Sequence, residues 1–315
     1  MSAFIFVTPT WDSAPWVAAM RKAAPSLDVR VWPDVGDVAN IHYCACWLPP
    51  ANVVKSFPNL KVIFSLGAGV DAILSDPTLP HNLPLVRVND PDLTNQMSEF
   101  VVLHVLMHHR QQLRLNANQR KNLWDDFHQH AARQITVGIM GLGVLGQDAA
   151  KKLRVMDFNV SGWSRTAKQI DGVNCYAGAT QLDDFLSGTD VLVSLLPATK
   201  DTDGIINRTL ISTLSRNGPF GAPILINAGR GRQQNEDDIL ACLDDGTLYG
   251  ASLDVFRHEP LPAASRLWNH PHALISPHVA AYSDPATICT YIAGQIKLFE
   301  SGKTLQNQVD IGRGY

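Results

Sequence analysis

The chain has 315 residues but only five cysteines, Cys44, Cys46, Cys175, Cys242 and Cys289. This odd, scattered set excludes a disulfide scaffold, and the single close pair, Cys44 and Cys46, lacks the doubled spacing of a structural zinc site. The cysteines read as reduced and mostly buried thiols, as a cytoplasmic protein carries. Excess charge is also missing: 26 basic against 29 acidic residues leave a net charge of −3. Without a concentrated basic patch, neither nucleic acid nor an acidic membrane surface is an expected partner. No run approaches the ~18 apolar residues of a spanning helix. The start, MSAFIFVTPT, has no basic region and only a short apolar stretch before Pro9, so no secretory signal is expected. Glycine and proline, at 22 and 19, are too few for a collagen-like or linker-dominated chain. What is present is an ordinary globular composition, 45% hydrophobic and 17% charged, able to bury a core. At roughly 150 residues per domain, the length suggests two domains.

Short apolar runs at residues 4–7, 29–32, 42–48, 61–65 and 85–88 predict buried parallel strands, with helices over 14–24 and near 52–57. A long helix is predicted over 97–122, apolar in its first part and polar in its second, which suits a linker or a subunit contact. A second series follows, with strands at 136–140, 160–163, 190–195, 224–227, 249–253 and 273–275. Its helices fall over 145–155, 182–186, 209–214 and 236–244, and a last helix runs over 284–301. Strands alternating with helices predict an α/β fold with parallel sheets, in two similar halves.

The second half opens on a strand followed by Gly141-x-Gly143-x-x-Gly146 and an amphipathic helix. The glycine pattern alone is weak; between a strand and a helix it becomes a dinucleotide fingerprint. Gly141 makes the tight turn, Gly143 lets backbone approach a pyrophosphate, and Gly146 lets helix pack on strand. The N–H groups at the helix start, around Val144 and Leu145, face the phosphates. An NAD reader places Asp or Glu at the end of the next strand to bind the ribose hydroxyl. Here that end reads Gly162-Trp163-Ser164-Arg165, with Lys168 nearby. A guanidinium binds a 2′-phosphate that a carboxylate would repel, so Ser164 and Arg165 favour NADPH, with NADH as the alternative.

Polar groups then stand beyond three successive strands: Arg230 in Asn227-Ala228-Gly229-Arg230-Gly231, Asp254 and Glu259 in LDVFRHEPLP, and His278 in SPHVAA. Singly each has a bland reading: a surface ion pair, a cap before proline, a core histidine. Together, Arg230, Glu259 and His278 stand at successive strand ends beside a dinucleotide loop, the arrangement that makes a cleft. His104 and His108 are four apart on a predicted helix but lack an acidic third ligand, so packing is preferred over metal binding.

These motifs, with SLGAGVD at 65–71, LPAT at 196–199 and GIIN at 204–207, run from about residue 65 to 282 in one order. The chain resembles the D-2-hydroxyacid dehydrogenase family, in particular its glyoxylate/hydroxypyruvate reductase A-type branch. The resemblance implies two Rossmann-like domains, one flavodoxin-like and one dinucleotide-binding, with a cleft between them. It assigns residues 1–96 plus 284–315 to a substrate domain and 97–283 to the NAD(P) domain. It implies a triad of Arg230 for the substrate carboxylate and keto oxygen, His278 as general acid and base, and Glu259 to orient the imidazole. It further implies carboxylate binding by the backbone of Ala68 and Gly69, and cofactor contacts from Leu196, Pro197, Thr199, Ala228 and Asp254. Trp47 is placed on the substrate side, and Trp124 near the neighbouring subunit's site in a homodimer. The implied activity is reduction of small 2-keto acids. A phosphoglycerate- or formate-type dehydrogenase and a non-catalytic NAD(P)-sensing regulator remain the alternatives. One departure stands out: Arg232-Gln233-Gln234-Asn235 replaces the apolar residues usual in the family after NAGRG.

Overall fold

The computed structural model describes residues 2–312, which divide into two compact units. The first takes residues up to Leu93 and from Ser283 onward; the second is Thr94–Tyr282. The sequence reading placed the same passages at 96/97 and 283/284.

In the first unit, β1 (Ala3–Val7), β2 (Asp28–Val31), β3 (Ile41–Cys46), β4 (Val62–Ser65) and β5 (Leu85–Val86) form a parallel sheet in the order β2-β1-β3-β4-β5. This is the flavodoxin-like order. Helices α1 (Ala14–Ala23) and α2 (Asp71–Leu74) belong to the same unit. The continuous apolar runs follow from burial on both faces. Phe4 and Phe6 pack with Trp16 and Met20 of α1 and with Ile288, Ile292 and Ile296 near the C-terminus. Ile5 and Val7 pack on the other face with Val54, Leu60 and Ile73.

The chain passes to the second unit through α3 (Pro91–His109), which α4 (Gln112–Arg120) follows. The sequence pattern predicts one helix here. The break sits at Gln111, whose φ of 52° is left-handed and ends the helical hydrogen-bond ladder. Likewise, the helix expected near 52–57 is only a single 3-10 turn, Val54–Ser56. Phe57 precedes Pro58 and is held extended, which stops it from growing.

The second unit continues with β6 (Thr136–Met140), α5 (Val144–Val155), β7 (Asn159–Ser164), β8 (Asn174–Ala177), α6 (Leu182–Ser187), β9 (Val191–Ser194) and α7 (Arg208–Thr213). It ends with β10 (Ile224–Asn227), α8 (Glu236–Asp244), β11 (Gly250–Leu253) and β12 (Ala273–Ile275); α9 (Pro285–Glu300) then returns the chain to the first unit. The parallel sheet has the order β12-β11-β10-β9-β6-β7-β8, the doubly wound dinucleotide order with one added strand. Val137, Ile139, Val191 and Val193 pack beneath Val101 and Val105 of α3 and Ala149, Ala150 and Leu153 of α5. Met140, Leu192, Leu225 and Leu253 pack on the opposite face with Phe185, Leu210 and Ile239. Strand order reverses between β6 and β9, so the loops leaving these two strands flank the point where such sheets bind ligands.

Candidate active site

The glycine turn leaves β6 at that reversal. Gly141 has φ 107°, and a Cβ there would stand 2.7 Å from the Leu195 carbonyl oxygen. A side chain is therefore excluded by both conformation and space. At Gly146 a Cβ would collide with the Gly141 carbonyl oxygen, so α5 starts tight against the turn. Gly143 is different: nothing lies within 4 Å of its Cβ position, which leaves the approach to its backbone open. No side chain caps α5, and Gln147 N–H is bonded to the Gly143 carbonyl. The N–H groups of Val144, Leu145 and Gly146 thus have no preceding helical carbonyl and carry the positive end of the dipole. This cradle fits a dinucleotide pyrophosphate.

Ser164 ends β7, is buried, and donates its hydroxyl to the Thr166 carbonyl at 2.9 Å. Arg165 stands just beyond it on the surface, with Lys168 also exposed. The loop after β9 carries Leu196, Pro197 and Thr199; Thr199 N–H donates to Thr202 Oγ1 at 2.9 Å, and the Thr202 hydroxyl reaches the Pro197 carbonyl at 2.7 Å. Ala228 is buried in a small cluster with Met97 and Ala280, against which Leu145 also packs. That cluster brings the exits of β6, β10 and β12 together.

Arg230, Glu259 and His278 follow β10, β11 and β12, adjacent strands of the sheet. His278 Nδ1 is 2.8 Å from Glu259 Oε2, and both side chains are 37% exposed. Glu259 Oε1 accepts the Phe256 N–H at 3.0 Å. Burial pushes the Glu259 carboxyl up, but the hydrogen bonds from His278 and Phe256 and the charges of His278 and Arg230 outweigh it and hold it below the ordinary carboxylate range. Arg230 is partly buried, and its Nη1 donates to the Gly229 carbonyl at 2.8 Å.

His278 has φ 56°, a left-handed conformation uncommon for a non-glycine residue. Asp254, fully buried, holds it there. The Asp254 carbonyl accepts the His278 N–H at 2.8 Å. Its Oδ1 accepts the Ser276 hydroxyl at 2.6 Å and the Val279 N–H at 2.9 Å, while Oδ2 accepts the Ala280 N–H at 3.0 Å. One residue therefore ties down the histidine loop, its carbonyl at His278 and its carboxylate at Ser276, Val279 and Ala280.

Three participants escaped the sequence reading. Gln233 and Gln234 are fully buried beneath the Arg230 turn. Gln234 accepts from Asn227 Nδ2 and donates to the Val255 carbonyl, both at 2.8 Å, joining the exits of β10 and β11. The signal in the sequence was a polar run, Arg232-Gln233-Gln234-Asn235, where the resemblance led to apolar residues being expected. Ser252 is the third: its buried hydroxyl lies between His104 Nδ1 at 2.9 Å and His108 Nε2 at 2.8 Å. Burial drives both imidazoles down, His108 to about 3, so this pair is a neutral packing element joining α3 to β11.

In the first unit, the Ser65 hydroxyl reaches the carbonyls of Gly67 and Gly69 at 2.9 and 2.8 Å and shapes the turn that contains Ala68. Trp47 lies over Gly67, its Cε3 3.1 Å from where a Cβ would be, and stacks on Trp11 with ring centroids 4.9 Å apart. Cys44 and Cys46 are buried free thiols with sulfurs 3.3 Å apart, and burial pushes the Cys44 thiol well up. Among the described residues no His, Cys, Asp and Glu group suits a metal, and no helix is long and apolar enough to cross a membrane.

The family model of the D-isomer specific 2-hydroxyacid dehydrogenase NAD binding domain matches residues 102–280. The chain belongs to the D-isomer specific 2-hydroxyacid dehydrogenase family. A glyoxylate/hydroxypyruvate reductase A of Yersinia enterocolitica is 39% identical over 316 residues, covering 99% of each chain. Among D-2-hydroxyacid dehydrogenases of known structure, the NADPH-dependent glyoxylate/hydroxypyruvate reductase of Sinorhizobium meliloti, crystallised with NADP and sulfate, superposes at TM-score 0.95 with 47% identity over 100% of both chains. A probable 2-hydroxyacid dehydrogenase of Rhizobium etli, in complex with NADP, HEPES and L(+)-tartaric acid, superposes at TM-score 0.94 with 42% identity over 100% of both chains.

Proposed function

We propose that this 2-hydroxyacid dehydrogenase is an NADPH-preferring reductase of small 2-keto acids, glyoxylate and hydroxypyruvate in particular. The observation that carries the reading is the Arg230, Glu259 and His278 array at three adjacent strand ends, in the same sheet as an open glycine cradle. The names and NADP complexes of the Yersinia, Sinorhizobium and Rhizobium relatives support it.

Gly141, Gly143, Val144, Leu145 and Gly146 hold the pyrophosphate, and Ser164 and Arg165 form the 2′-phosphate end. Leu196, Pro197, Thr199 and Ala228 line the remainder. Asp254 Oδ2, which accepts one backbone hydrogen bond, keeps a lone pair for the carboxamide. Reduced nicotinamide, when bound, supplies a hydride to the carbonyl carbon of the keto acid. Arg230 holds the substrate carboxylate and polarises the keto oxygen; in the first unit, the Ala68 and Gly69 N–H groups and Trp47 are the substrate-binding residues that the family resemblance implies. His278 Nδ1 is engaged by Glu259, so Nε2 is the nitrogen that serves the substrate. As charge grows on the keto oxygen, the Nε2–H bond breaks and an O–H bond forms, giving the 2-hydroxy acid, of D configuration where chiral. Glu259 stabilises the imidazolium before the transfer. In the reverse direction neutral Nε2 takes the proton back.

A homodimer is the proposed assembly. Trp124 is 97% exposed, on a stretch pinned to α4 by an Arg114–Asp125 ion pair and by Arg114 stacking over Phe127. An ordered segment that presents an indole to solvent suits contact with a second copy. The free thiols suit the reducing cytoplasm, where we place the reaction.

The test is cofactor oxidation by the purified protein with glyoxylate, hydroxypyruvate and pyruvate, using NADPH and NADH in parallel. Turnover with glyoxylate or hydroxypyruvate, faster with NADPH, is expected. Failure with every 2-keto acid refutes the reading.

A further inference from the structure

We propose that Gln233 is a positioning residue that couples cofactor binding to keto-acid binding; this rests on the function proposed above. Gln233 is 0% exposed, and all four hydrogen-bonding valences of its carboxamide are used. Its Nε2 donates to the carbonyls of Leu196 at 2.6 Å and Pro197 at 3.1 Å, the start of the loop that lines the cofactor. Its Oε1 accepts the Ser194 hydroxyl at 3.1 Å, where β9 ends, and the Arg230 N–H at 3.4 Å. The same oxygen lies 2.8 Å from the Cβ position of Gly229, so the carboxamide is pressed against the backbone of the arginine turn. One planar group thus spans two loops with opposite chemistry. Its acceptor faces the turn that carries the guanidinium, and its donors face the loop proposed to line the cofactor.

An apolar side chain at this place would fill the space but join neither loop to the other. With glutamine, displacement of the Leu196–Pro197 backbone moves a hydrogen-bonded plane that Arg230 also depends on. Cofactor contacts that settle the first loop therefore settle the second, and the two ligands bind with positive coupling. Gln234 provides the internal comparison. It is equally buried, but its carboxamide bonds Asn227, Val255 and Glu236 and, among the described residues, makes no hydrogen bond to the Leu196–Pro197 loop.

The experiment measures oxalate, a non-reacting mimic of a 2-keto acid, binding to the full chain by calorimetry, alone and saturated with NADPH. The wild-type protein is expected to bind oxalate about fivefold or more tightly when NADPH is present. Gln233→Leu removes both hydrogen-bonding ends, and Gln233→Glu keeps the shape but sets a carboxylate against two carbonyls; each is expected to bring that ratio close to one. Gln234→Leu lowers thermal stability but keeps the wild-type ratio. A purely structural role for Gln233 would weaken both ligands and leave their ratio intact, and that result overturns the proposal. So does a wild-type ratio of one, or loss of coupling in Gln234→Leu to the same extent. Glyoxylate turnover by the same wild-type preparation separates the two levels: no turnover refutes the enzymatic reading itself, whereas turnover with coupling untouched by Gln233 substitution refutes only this inference.

Discussion

Replacing Asp254 with alanine removes the acceptor on which the histidine loop hangs. Three donors lose their partner: the Ser276 hydroxyl, the Val279 N–H and the Ala280 N–H. Ala280 is only 6% exposed, so its N–H is stranded and incurs the full penalty of an unsatisfied buried donor, about 1–3 kcal/mol. Val279 is 61% exposed and Ser276 intermediate, so water relieves part of their loss. The sum is about 2–4 kcal/mol. For a unit of this size each kcal/mol lowers Tm by about 2–4 °C, giving a fall of roughly 5–15 °C. The catalytic consequence is larger: the Asp254 carbonyl that accepts the His278 N–H remains, but the Ser276, Val279 and Ala280 anchors on either side of His278 are lost, and they brace its φ of 56°. Displacement of a proton donor by about 1 Å costs on the order of a hundredfold in rate. Asp254→Asn keeps an oxygen for Ser276 and Val279 but sets N–H against the Ala280 N–H, so it falls between alanine and wild type. Differential scanning calorimetry and kcat/KM for glyoxylate, measured on both variants, check these values. A wild-type Tm and rate in Asp254→Ala would refute the argument that this carboxylate builds the site.

Four further outcomes follow from the same geometry. Arg165→Ala is expected to raise the KM for NADPH by about 10–100-fold, the worth of a charge-assisted contact, and to leave that for NADH nearly unchanged; equal effects on both would remove Arg165 from the 2′-phosphate. Because the Glu259 carboxyl is depressed in the folded state, its contribution to stability is present above its usual value of 4.5 and is lost as pH falls through the lower folded value. The Tm gap between wild type and Glu259→Gln should therefore close on acidification below about 4.5, and a gap that stays constant would contradict the assigned partners. Gly146→Ala places a methyl against the Gly141 carbonyl and should weaken NADPH binding, measured by fluorescence titration, through displacement of the α5 start; undiminished affinity would show that this helix does not hold the phosphates. Trp124→Ala should shift sedimentation from dimer toward monomer, and a wild-type monomer would contradict the proposed assembly.

Much of this was legible in the chain. The second-unit strands β6, β10 and β12 appear with the predicted bounds because a strand buried on both faces is an uninterrupted apolar run. Strand β8 was missed because Asn174–Ala177 is short, begins on an exposed asparagine and is only partly buried, so it carries no such signal. The break at Gln111 has no glycine or proline to announce it. It is held by tertiary contacts, the Gln111 side chain accepting the Tyr249 hydroxyl at 3.3 Å. The proposed reacting groups could be picked out because each stands at the end of a recognisable strand. Their supports could not: the resemblance gives Asp254 a cofactor contact, but not the anchoring of Ser276, Val279 and Ala280, which converge on it from 22 to 26 positions away. Gln233 and Gln234 stood out in the sequence only as a departure after NAGRG, and nothing there showed that both are sealed inside the fold. Sequence spacing identifies chemistry that repeats along strand ends, whereas hydrogen bonds between distant loops become visible only in three dimensions.

The measurement that bears most directly on this account is a paired determination for His278→Asn: the rate of glyoxylate reduction and the affinity for NADPH. With His278 as the proton donor and no part of the cofactor cradle, reduction should fall by about a hundredfold to ten-thousandfold while NADPH binds as in wild type. A variant that still reduces glyoxylate at the wild-type rate, or that loses NADPH along with activity, would contradict it.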